Sequence, residues 1–153
     1  MTIIIAARKG DSTAKPGRLP FEEALSRATV AIVSCPRNPD TMNLFSTPEF
    51  KQMRPEAVLL NVSRGGIVDE TALLDALRNG QIAGAATDVF AKEPALGGER
   101  ADSVLLGPEA HGLNLTVSPH VAWFGEKTLQ NYQRMLKENI EGWVVGKDQN
   151  VVA

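Results

Sequence analysis

Ala57-Val58-Leu59-Leu60-Asn61-Val62-Ser63-Arg64-Gly65-Gly66 is the stretch that decides the fold. It opens as an apolar run without polar alternation and stops at an arginine and two glycines. A run of that length and kind predicts a strand buried on both faces, over Ala57 to Ser63. The next segment, Asp69 to Asn79, carries Leu73, Leu74 and Leu77 at helical spacing and ends before Gly80, a helix with a C′ glycine. Ile82 to Val89 is a second strand, with Gly84, Ala85 and Ala86 small enough for close approach. Working outward, Thr29 to Ser34, Leu115 to Ser118 and Ile3 to Ala7 read as further strands. Phe21 to Ala28 reads as a helix, and Thr47-Pro48-Glu49 starts another, with Thr47 as cap and Pro48 first inside. Glu126 to Val145 is a long amphipathic helix carrying Leu129, Tyr132, Met135, Leu136, Ile140 and Trp143. Ala95 to Gly112 is a polar loop, read as a lid or surface excursion. Strands alternating with helices predict an α/β fold, a parallel sheet with helices on both faces.

Right-handed crossovers place every carboxyl end of such a sheet on one edge, where ligands bind. Three polar side chains follow strands there: Arg64, Glu93 and His120. A guanidinium offers a planar fork that matches a carboxylate. Imidazole titrates near working pH and can move a proton, and a carboxylate on its other nitrogen would favour the charged form. Taken singly, each has a plain structural reading: a surface arginine, a loop histidine, a solvated acid before Pro94. Their common placement favours a site.

Composition sets the outer limits. The 153 residues match one ordinary domain; 43% are apolar and 22% charged, as in soluble globular proteins. A formal net charge of −2 with mixed signs argues against nucleic acid or an anionic membrane as the main partner. One cysteine, Cys35, excludes an internal disulfide and fits a reducing compartment, so the cytoplasm is the expected location. No apolar run reaches the roughly 20 residues of a membrane helix. No metal-ligand cluster is expected.

Three segments carry a resemblance. Asn61-Val62-Ser63-Arg64-Gly65-Gly66-Ile67-Val68-Asp69-Glu70, Ala83 through Phe90 to Glu93-Pro94, and Ser118-Pro119-His120-Val121-Ala122-Trp123 resemble the D-isomer-specific 2-hydroxyacid dehydrogenases. Cys35-Pro36-Arg37-Asn38-Pro39-Asp40-Thr41 and the last helix also fit. The resemblance implies a Rossmann-like fold lacking its first strand and glycine-rich phosphate loop, since no GxGxxG occurs. It further implies a partial NAD(P)-binding domain over 1–124, then a helix and tail over 125–153 returning toward an absent substrate domain. A fragment of this kind is expected to leave strand edges unpaired, to bind cofactor weakly and to aggregate.

The resemblance also implies roles. Arg64 anchors the substrate carboxylate, His120 carries the proton and Glu93 pairs with it. The cofactor, NAD or NADP, is expected to meet Cys35, Pro36, Thr41, Val62, Ser63, Arg64, Asp88, His120 and Trp123, with Asp88 at the nicotinamide carboxamide. Asp88 as a turn cap, and Trp123 as core packing, are the structural alternatives. Many members close the first recovered strand with an acid that selects NAD. Here Ala7-Arg8-Lys9 stand instead, and Arg8 and Lys9 suit a 2′-phosphate, unless they are simply solvated. The implied activity is reduction of a small 2-keto acid or oxidation of a D-2-hydroxy acid, in a parent expected to be a homodimer. A catalytically inactive NAD(P)-binding remnant and a dinucleotide-gated corepressor are the competing readings.

Overall fold

The Ala57 run becomes β2, Val58–Asn61, at the centre of the sheet. In the computed structural model, which describes residues 2–11, 15–93 and 101–151, it lies between β1, Val30–Val33, and β3, Gly84–Thr87, with β4, Leu115–Val117, beyond. All three pairings are parallel. The register puts Ala31, Leu59, Ala85 and Leu115 in one row, and all four belong to the core or pack against it. Helices α1, Phe21–Arg27, α2, Thr47–Gln52, and α3, Glu70–Arg78, complete that core through Phe21, Phe50 and Leu73. The next row starts at Ile32, which is 61% exposed, and runs to Leu60 and Ala86.

Local chemistry explains the boundaries. Asp69 caps α3 by accepting from the Thr71 and Ala72 amides at 3.1 Å each. Gly80 follows at φ +63°, where a side chain would be strained. At α2 the cap is Ser46, not Thr47. Its side chain and that of Glu49 form a reciprocal capping box, with the Ser46 amide donating to Glu49 Oε2 at 2.9 Å. Proline is tolerated equally in the next position, so Pro48 did not identify the cap.

Two further expectations are corrected. Ile3 to Ala7 forms no ladder with the sheet: it makes one isolated parallel bridge, Ala6 with Leu19, and Ile3 is 79% exposed. Its backbone is held by the segment after Gly17, with Ala7 N donating to Leu19 O at 2.7 Å and Leu19 N to Ile5 O at 2.9 Å. A β-branched run has strand propensity but becomes a strand only beside a partner. The loop after Pro94 is not simply a surface excursion: its described part, 101–112, contains helical turns Val104–Leu106 and Pro108–Ala110, and Leu105 is buried in the core. The remainder of that expectation, 95–100, lies outside the described residues.

The chain divides into two compact units, 1–119 and 120–153. The second holds α4, Glu126–Val144, whose Leu129, Tyr132, Leu136, Ile140 and Trp143 are exposed. No helix among the described residues is long and apolar enough to cross a membrane.

Candidate active site

The carboxyl edge of the sheet is built around Asn61, the last residue of β2. Its amide side chain is buried, donates to the Arg64 carbonyl at 3.3 Å and accepts from the Ser63 amide at 3.3 Å. These bonds close the turn that presents Arg64. The Arg64 side chain is exposed and donates to the Ser63 carbonyl at 2.7 Å. Ser63 Oγ is buried without a hydrogen-bond partner among the described residues. Such an orphan is uncommon in a folded protein.

Gly65 then packs against the backbone of Phe90 and Ala91; a Cβ there would collide with the Phe90 carbonyl. Gly66 turns the chain at φ +78°. The close approach at Gly65 brings the Arg64 turn beside the segment that carries Glu93. Glu93 itself accepts from the Phe90 amide through Oε1 at 2.8 Å.

Asp88 follows β3 and is buried. Ser118, which follows β4, donates its hydroxyl to Asp88 Oδ1 at 2.5 Å, while its amide donates to the Thr87 carbonyl at 3.0 Å. The ends of β3 and β4 are thereby stitched together under a buried carboxylate. At the end of β1, Cys35 is partly buried and its thiol is free. Thr41 shapes the following turn, donating to the Pro36 carbonyl at 2.8 Å and accepting from the Asn38 amide at 2.8 Å. Val62 is half-exposed at the same edge of β2.

Arg64, Glu93, Asp88, Cys35, Pro36, Thr41, Val62 and Ser63 therefore all belong to the first unit. His120 and Trp123 belong to the second. His120 has a left-handed backbone, φ +55°, and its carbonyl accepts from Trp123 Nε1 at 2.8 Å. Trp123 stacks edge-on against Phe124 with centroids 5.5 Å apart. Also in the first unit, Arg8 is exposed, but Lys9 is engaged: its ammonium lies 2.7 Å from Glu49 Oε1, and Glu49 is 2% exposed.

Sequence reasoning missed Asn61, Ser118, Glu70 and Arg37 as contributors. A polar residue inside an apolar strand run was the available signal for Asn61. For Arg37, whose guanidinium donates to Met42 Sδ at 3.3 Å close to Gly66, no spacing pointed the way. Among the described residues there is no cluster of three or more metal-ligating side chains.

The family model for the D-isomer specific 2-hydroxyacid dehydrogenase, NAD binding domain, matches residues 1–122. The chain belongs to this family. Glycerate dehydrogenase of Methylorubrum extorquens is 41% identical over 136 residues, 89% of this chain and 41% of that protein. Among solved structures, D-lactate dehydrogenase with NAD+ from Lactobacillus jensenii aligns at a TM-score of 0.77 and 25% identity, over 94% of this chain and 46% of that one. An NADPH-dependent glyoxylate/hydroxypyruvate reductase from Sinorhizobium meliloti aligns at 0.74 and 29% identity, over 99% and 46%. The chain thus spans under half the length of the curated relatives it matches. Four parallel strands with a helix-lined core are the Rossmann-like α/β arrangement expected of that domain.

Proposed function

We propose that this chain supplies the carboxyl-edge half of an NAD(P)-dependent oxidoreductase that interconverts a small 2-keto acid and its D-2-hydroxy acid. The observation that carries the reading is the packing of Gly65 on Phe90, which sets the Arg64 turn beside the Glu93 loop. The buried Ser63 hydroxyl and the buried Asp88 carboxylate fit a polar ligand such as a nicotinamide carboxamide, so the donor set suits the dinucleotide. When bound, the nicotinamide supplies or accepts the hydride.

The chain's own residues do the rest. Arg64 binds the substrate carboxylate bidentately and polarises the neighbouring carbonyl. His120 gives its proton to the carbonyl oxygen in reduction, as the hydride reaches the carbonyl carbon, and takes that proton back in oxidation. Glu93 orients the imidazole through its other nitrogen. Cys35, Pro36 and Thr41 form the wall on the adenosine side, and Val62 and Trp123 flank the nicotinamide. Arg8 favours a 2′-phosphate; Lys9, held by Glu49, contributes through the backbone it fixes. Residues 1–124 form the cofactor-binding part, and 125–153 return toward a substrate domain. The whole protein is a cytoplasmic homodimer.

The test is a chain completed at its N terminus with the corresponding residues of the glycerate dehydrogenase it matches. His120→Ala should lower kcat by about 10²–10⁴-fold on glyoxylate or hydroxypyruvate. Unchanged turnover removes His120 from the mechanism, and no turnover in the unsubstituted chimaera favours a cofactor-binding role alone. Arg8→Ala should lower kcat/KM for NADPH more than for NADH; equal effects reject the 2′-phosphate assignment.

A further inference from the structure

We infer that Glu70 is a positioning residue for Glu93, acting through the neck of the loop that carries it; the functional weight of this rests on the role proposed for Glu93. Glu70 is the first residue of α3 and partly buried. Both of its oxygens are used: Oε1 accepts from the Ala91 amide at 2.6 Å and Oε2 from the Ser103 hydroxyl at 2.6 Å. Ala91 and Ser103 stand on the two sides of one neck. Between them Lys92 and Asp102 form an antiparallel bridge, with the Asp102 amide donating to the Lys92 carbonyl at 3.2 Å.

The neck carries an ion pair of its own, Lys92 Nζ to Asp102 Oδ2 at 3.0 Å, but those side chains are 77% and 80% exposed. Exposed pairs hold little. The charge-assisted bonds to Glu70 are shorter and partly shielded, so they are the restraint that counts. Glu93 follows the neck directly and takes the Phe90 amide. Adjacent amides, Phe90 and Ala91, are therefore claimed by two different carboxylates, one from helix α3 and one from the site.

Peptide planarity couples these contacts. The Ala91 N–H and the Phe90 C=O share one trans peptide plane and point in opposite directions. When Glu70 holds the N–H, the carbonyl is turned onto Gly65, where the close approach was found. Asp69 caps the same helix end, so the anchor does not fray. Glu70 thus fixes the plane from which both the Arg64 turn and the Glu93 side chain take their bearings.

Amide hydrogen exchange on the ¹⁵N-labelled full chain tests this. Glu70→Ala should speed exchange about tenfold or more at Ala91 and also at Phe90, whose amide Glu70 does not touch, while Leu73 and Leu74 in α3 keep their rates. Glu70→Gln should recover part of the protection at both amides, since its carbonyl can accept from Ala91 and its amide can donate to Ser103 without the assistance of the charge. Ser103→Ala, which leaves the carboxylate in place, should show the same pattern more weakly and serves if Glu70→Ala does not fold. Acceleration at Ala91 alone, equal acceleration through α3, or failure of glutamine to rescue would each overturn the inference. None of these readouts involves turnover, so the catalytic role of Glu93 stands or falls separately, on Glu93→Gln in the completed enzyme.

Discussion

Gly65→Ala places one methyl group where the Arg64 turn meets the Glu93 loop. The new Cβ would stand 2.7 Å from Ala91 N, against the 3.4 Å at which ordinary contact begins, and closer still to the Phe90 carbonyl. All of these are backbone atoms, and neither can rotate aside as a side chain would. The Ala91 and Phe90 amides are also held by Glu70 and Glu93. Overpacking of this kind costs about 1–3 kcal/mol. If the loop withdraws instead, the charge-assisted bond from Ala91 to Glu70 is lost, for about 1.5–3 kcal/mol. Either route reaches about 3 kcal/mol, which corresponds to a fall in Tm on the order of 10 °C for a chain of this size. Calorimetry and far-UV circular dichroism measure it. The control is Gly80→Ala, at φ +63° with open space around the Cβ, where only backbone strain of about 1–2 kcal/mol applies. Gly65 has no left-handed backbone, so a purely conformational account ranks Gly80→Ala as the more damaging. If Gly65→Ala melts within about 2 °C of the unsubstituted chain, or above Gly80→Ala, the close approach at Phe90 does not hold the site together.

Lys9→Met leaves the buried Glu49 carboxylate with the Ser46 amide but without its cation; because Lys9 is 44% exposed the cost is set at about 1–2 kcal/mol, below that of a fully buried pair, and a urea midpoint identical to wild type would refute it. Asp69→Ala removes the acceptor for the Thr71 and Ala72 amides and for the Ser46 hydroxyl, and should destabilise by about 1–2 kcal/mol in the same assay. Ile32→Lys, on the open edge strand β1, should reduce light scattering of concentrated samples with a stability change within about 0.5 kcal/mol; unchanged scattering would show that this edge does not drive association.

Much of the sheet was legible because each strand's own residues state how deeply it is buried. Leu59 and Ala85 sit in the core where their runs placed them, and Gly80 ends α3 as its position demanded. The place of Arg64 was legible for a related reason: a polar residue just past an apolar run lies close to a strand end, here beyond Asn61. Ile3 to Ala7 shows the limit of the method. Its composition matches that of the observed strands, yet a strand needs a neighbour to take its amides and carbonyls, and composition does not say who that neighbour is. The Ser46 cap was hidden for a local reason: serine and threonine stand side by side, and only the reach of Glu49 back to the Ser46 amide distinguishes them.

Charge was the least legible property, and Lys9 shows why. As letters, Arg8-Lys9 are two equivalent cations after a strand, and together they read as a phosphate site. In the folded chain they differ, because Glu49 lies on another element and is buried beneath one of them. A buried carboxylate is costly unless something compensates it, and Lys9 supplies that compensation from a partly exposed position. The pair therefore ties the segment next to Arg8 to a buried acid, while Arg8 itself is exposed and pairs with no buried acid among the described residues. The same logic applies to Glu70 at the start of α3. In sequence Glu70 is one more acid in a helix's first turn, where acids are common for dipole reasons alone. What separates it from such an acid is two donors brought from 21 and 33 residues away, and only the fold can deliver those. Residues that act by touching ligand can be guessed from their type and their place at a strand end; residues that act by holding those residues still are recognisable only once their partners are known.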